Sequence, residues 1–173
     1  MTSITHKRVE YTELFYDLVF VYAISKTTAL IHHLDNGMVT FESMLTFLLT
    51  LIILLNNWFI QTGFTNRHGK NSLLNMFVSY LNMVILLFIS NLITQEWELV
   101  FQKFCLALGT LSLTLFVQYL IEYMKKRTSC GSLRTIRGLL WLTGLRAVSI
   151  YTASFLPLKF GVPVFLAGFL STF

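Results

Sequence analysis

Residues 73–93 read LLNMFVSYLNMVILLFISNLI and contain no Lys, Arg, Asp or Glu. A helix needs about 20 residues, rising about 1.5 Å each, to cross a hydrocarbon core about 30 Å thick. An uncharged, predominantly apolar run of that length is a candidate membrane span. Working outward, further apolar runs recur at Glu13–His32, Phe41–Phe64, Val100–Met124, Leu139–Leu156 and Phe160–Phe173. The first five runs in chain order are span-length within boundary error, and the sixth is partial. The expected fold is therefore an all-α integral membrane protein: one polytopic helical bundle over residues 1–173, with five full spans and a sixth partial span.

Composition points the same way. The chain is 55% hydrophobic and 12% charged, with a mean hydropathy of +0.67. A soluble domain keeps roughly a quarter of its residues charged to wet its surface. A net charge of +5 would suit nucleic acid, but the basic residues sit in short connections between apolar runs, where they set topology. No nucleic-acid partner is expected. Cys105 falls inside a span and Cys130 in a basic loop, so no disulfide between them is expected. Met1 to Val9 is polar and too short for a cleaved leader.

The connections read as turns: Asp35-Asn36-Gly37, the segment 66–71, Thr94-Gln95-Glu96 and the segment 157–161, with a longer basic loop from Lys125 to Arg137. Counted loop by loop, one side receives Lys7, Arg8, Arg67, Lys70, Lys125, Lys126, Arg127, Arg134 and Arg137, and the other only Lys103 and Lys159. Asp35, Glu42, Glu96 and Glu98 all fall on the base-poor side. Nine against two places the N-terminus in the cytoplasm under the positive-inside rule. The base-rich loop Lys125, Lys126, Arg127, Arg134 and Arg137 is expected to meet anionic lipid headgroups. No basic residue follows Lys159 to anchor the sixth run, which is expected of a piece of a longer protein or of a short terminal helix.

Charges inside spans carry the functional information, because each costs about 2.5–3.5 kcal/mol at a helix centre on insertion scales. Asp17, Lys26, Glu122 and Arg146 are such charges. Glu13 and Asp17, four apart, share a helix face and can bind a cation or relay protons. Alternatively, Glu13 sits among headgroups at the helix start, where its charge suits the dipole, and Asp17 pairs with a base to fix packing. Arg146 lies about 13 Å along its helix from Arg137, and a carboxylate such as Asp17 or Glu13 is its expected partner. Lys26 snorkels outward or pairs with another helix. Glu122 is explained by Lys125 and Lys126 on its own helix.

Polar faces form a second tier: Asn57 with Gln61, Asn75 with Ser79 and Asn82, and Thr114 with Gln118 and Glu122. Such faces either join helices by hydrogen bonds, worth about 0.6 kcal/mol each on average, or line a water-filled path. His32 and His33 are adjacent and point apart on a helix, and His6 and His68 lie on the other side. No metal or cofactor is expected. There is no P-loop, dinucleotide glycine pattern, nucleophile elbow or zinc spacing, and nothing in the chain recommends an enzyme.

The stretch Glu13-Leu14-Phe15-Tyr16-Asp17-Leu18-Val19-Phe20-Val21 resembles the opening motif of the bacterial low temperature requirement A (LtrA) family. In that family a Glu-Leu-Phe-aromatic-Asp-Leu-Val-Phe segment begins the first span. A second likeness lies at Trp58 with Asn66-Arg67. The family often follows its Asn-Arg with acidic residues, whereas this chain has His68-Gly69-Lys70-Asn71. The resemblance implies a multi-pass protein of the bacterial inner membrane, usually longer than this chain. A looser likeness links Phe15-Tyr16-Asp17 to potassium channels with Phe-Ser-Asp in their first helix. Three functions follow as expectations. The first is proton- or cation-linked transport by Asp17, Glu13, Arg146 and Lys26, with Asn57, Gln61, Asn75, Ser79, Asn82 and Gln118 as lining. The others are a structural or assembly protein (a homo-oligomer among its forms) with static ion pairs, and a lipid-acting enzyme.

Overall fold

The computed structural model describes residues 11–31, 34–35, 38–68, 73–93, 97–126 and 133–170. Six α-helices follow one another: α1 (Tyr11–Thr27), α2 (Phe41–His68), α3 (Leu73–Leu92), α4 (Trp97–Lys126), α5 (Leu133–Phe155) and α6 (Leu158–Leu170). Thr28–Ile31 continues α1 as a 3-10 turn, and two-residue strands β1 (Leu34–Asp35) and β2 (Met38–Val39) pair antiparallel before α2. Within the described residues each expected apolar run falls on a helix.

Among the described residues, four helices are long and apolar enough to cross a membrane: Tyr11–Ile31, Ser43–Arg67, Leu73–Leu92 and Val100–Met124. The expected count of five full spans is not reached on that criterion. α5 has the length, 23 residues or about 35 Å. It also carries Arg134, Arg137 and Arg146, together with several hydroxyl side chains, which lower its apolarity. α6 has 13 residues and reaches about 20 Å.

Most of the bundle's core and much of its surface are apolar. Ala23, Leu54, Leu86, Ile89, Cys105 and Leu108 are fully buried, while Leu18, Val21, Phe77, Val84, Leu145 and Val148 are exposed. A soluble protein does not present such a surface; a lipid-facing one does. α4 is the central helix: 56% of its span is buried, against 28% for α2 and for α3.

Small residues let α5 approach its neighbours closely, the usual means of joining helices where lipid removes the hydrophobic drive. The Tyr151 ring lies over Gly109 of α4, 3.2 Å from where a Cβ would stand, and its hydroxyl is 3.1 Å from Thr110 Oγ1. On the other side Ser149 Oγ donates to the Val164 carbonyl of α6 at 2.9 Å. A Cβ on Gly168 would fall on the Ser149 side chain itself. Gly168→Leu is therefore expected to destabilise the α5–α6 seam by about 1–3 kcal/mol, the usual cost of overpacking. Thermal unfolding in detergent would show it as a lowered midpoint.

Candidate functional site

α1 turns Tyr16 into the bundle and leaves Glu13 and Asp17, one turn apart, flanking it. These residues border a cavity of about 170 Å³ that also reaches Thr12. The last turns of α2 supply Gln61, Phe64, Thr65 and Asn66, α3 adds Asn75, Met76 and Ser79, and α4 adds Gln118. All come from one end of the bundle, where α1 and α3 begin and α2 and α4 finish. Antiparallel succession brings these four helix ends together, and four-residue spacing puts the polar side chains on one face of each helix.

Hydrogen bonds hold the cavity's walls. Trp58 Nε1 donates to Asp17 Oδ1 at 2.8 Å, and the indole stacks on Phe20 of α1 with centroids 5.7 Å apart. The carboxylate is thus aimed by a ring that is itself packed. Deeper in, Asn82 Nδ2 donates to Gln61 Oε1 at 3.3 Å, tying α3 to α2. Thr114 Oγ1 of α4 lies 2.6 Å from Asn82 Oδ1 and 2.7 Å from the Leu111 carbonyl, its single proton serving either. Gln118 is 3% exposed and its Oε1 is buried without a hydrogen-bond partner among the described residues.

One turn further along α2 is a second polar cluster. Arg146 is 1% exposed. Its Nη1 donates to Asn56 Oδ1 at 2.7 Å and its Nη2 to Asn57 Oδ1 at 2.8 Å. The guanidinium also lies 5.3 Å from the Phe169 ring centroid, and its Nε has no hydrogen-bond partner among the described residues. The expected carboxylate partner, Asp17 or Glu13, is not the one found. α2 stands between: Asn57 and Trp58 are consecutive, so they project about 100° apart. One bonds Arg146 and the other Asp17. Two amide carbonyls match the guanidinium fork without desolvating a second charge.

Of the residues singled out by sequence, Glu13, Asp17, Gln61, Asn75, Ser79 and Gln118 meet at the cavity, and Asn82 joins it through Gln61. Asn57 and Arg146 form the deeper cluster. Lys26 does neither: it is exposed, 5.5 Å from the Tyr22 ring centroid near the other end of α1. Glu122 is buried; the Lys125 and Lys126 side chains that were to explain it lie outside the described residues, as do Arg127 and Cys130. Sequence reasoning passed over Asn56, Tyr16 and Thr65, and took Trp58 only as a family likeness. A polar triplet, Asn56-Asn57-Trp58, inside an otherwise apolar run was the available signal for two of them.

A family model described as bacterial low temperature requirement A protein (LtrA) matches residues 8–173 of the chain. No curated protein and no solved structure matches it.

Proposed function

The chain belongs to the bacterial low temperature requirement A (LtrA) family, and we propose that it moves a proton or small cation through its helical bundle. Asp17 is the central group, with Glu13 beside it. The protein resides in the bacterial inner membrane with its N-terminus cytoplasmic, α5 serving as the fifth full span and α6 as a partial one. The nine-to-two loop bias supports this orientation and turns the cavity toward the cytoplasm. Exposed Arg134 and Arg137 at the start of α5 are placed to meet anionic headgroups.

The observation that carries the reading is convergence. Two carboxylates and the side-chain amides of three further helices share one cavity, and the amides continue inward through Gln61 and Asn82 toward Asn57. Asp17 is exposed and Glu13 half-buried at the cavity's edge, and carboxylates that line a cavity in a membrane bundle mark ion and proton pathways. Arg146, about 20 Å along α5 from its start, then stands as a positive charge beyond the cavity's inner wall. A fixed cation at that depth opposes through-passage of another, so net movement requires α2 and α5 to shift. A structural role is the second reading, favoured by the two-amide clamp on Arg146, which locks α2 to α5 without moving parts. Proton and potassium flux into proteoliposomes, wild type against Asp17→Asn, separates the two. The transport reading expects flux in the first and none in the second; equal flux in both, or none in a well-folded wild type, overturns it for these ions.

A further inference from the structure

Resting on the cation reading of this same cavity, we propose that its ligand is a small primary ammonium, a short alkylamine in its charged form. The cavity measures about 170 Å³. That is the room open to the centres of water-sized groups, enough for a ligand of several non-hydrogen atoms. A bare alkali ion is far smaller. Asp17, Glu13 and Gln118 lie on a wall of mostly polar residues, with the Tyr16 and Phe64 rings and the Met76 thioether beside them.

An ammonium head has three N–H donors and no acceptor. Asp17 has one oxygen engaged by Trp58 and accepts with the other. Gln118 Oε1 is a buried acceptor with no donor among the described residues, an arrangement that costs about 1–3 kcal/mol unless a donor arrives. Glu13, one turn before Asp17, adds the second negative group. The hydrocarbon body of the amine then lies against the aromatic rings and the thioether, where its apolar surface is removed from water. A quaternary ammonium carries the same charge but no donor, so it leaves Gln118 Oε1 unanswered. The expected order is therefore propylammonium over methylammonium, and both over tetramethylammonium and potassium.

The test is calorimetric titration of the full chain in lipid nanodiscs with propylammonium, methylammonium, tetramethylammonium and potassium chlorides. Proton and potassium flux is measured on the same preparation. Saturable binding of propylammonium, at least tenfold tighter than tetramethylammonium or potassium, supports the proposal. Gln118→Leu is expected to weaken it about tenfold, and the ligand series on the wild type stands even if that variant folds poorly. No saturable amine binding, or equal binding of tetramethylammonium, overturns the ligand class. If Asp17-dependent proton or potassium flux persists in that case, the cation reading survives without it; loss of both signals removes both.

Discussion

Arg146→Met is expected to lower the unfolding midpoint of the detergent-solubilised protein, although it removes a charge from the hydrocarbon. Methionine fills similar space, and deleting a buried charge along with its partners is often neutral or stabilising. Here the partners remain. Asn56 Oδ1 and Asn57 Oδ1 each lose a donor at 2.7–2.8 Å, in residues 7% and 1% exposed. A buried acceptor left without its donor costs about 1–3 kcal/mol, so the pair accounts for about 2–6 kcal/mol. Relief of the arginine's own desolvation offsets part of this. The triple variant Asn56→Leu, Asn57→Leu, Arg146→Met removes the orphaned carbonyls and is expected to recover most of the loss. Equilibrium unfolding of the single, double and triple variants, read as a cycle, measures the coupling. A single variant more stable than the wild type would show that the charge, not the amides, dominates this cluster.

Why the partner of Arg146 escaped sequence reasoning follows from the same chemistry. Opposite charges announce each other in a sequence, whereas an amide pair 89 and 90 positions away carries no mark of what it will bond. The Asp17–Trp58 contact spans 41 positions and is equally silent. The helices were legible because lipid demands apolarity over a fixed length, and that demand is written locally. Phe41 and Leu73 begin their helices where their apolar runs begin. α5 was read too short, from Leu139, because Arg134 and Arg137 look like loop. Its backbone hydrogen bonds do not stop at the edge of the hydrocarbon, and the helix starts at Leu133. The polar faces were legible for a related reason: spacings of three and four put Gln61, Asn75, Ser79 and Gln118 on defined stripes. Which stripes face one another depends on helix rotation, and only the folded bundle shows that they share a cavity.

Asp17→Asn is expected to abolish flux, a loss of more than about a hundredfold, while leaving the fold intact. Asparagine keeps the size of the side chain and an oxygen to accept from Trp58 Nε1, so the link between α1 and α2 survives and the melting temperature moves little. What disappears is the negative charge. A hydrogen bond to a charged group is worth about 1.5–3 kcal/mol, and each 1.4 kcal/mol is tenfold in affinity; losing the charge removes this and the long-range attraction as well. Trp58→Phe makes the converse change. The ring can still stack on Phe20, 5.7 Å away, and meet Phe59 edge-on at 5.2 Å, but its Nε1 donor to Asp17 is gone. The carboxylate keeps its charge and loses its aim, so flux is expected to fall about tenfold rather than vanish. Paired flux and thermal-unfolding measurements decide between pathway and brace. If Asp17 only braces helices, the asparagine variant retains flux, and the damage of both substitutions appears in the melting temperature alone.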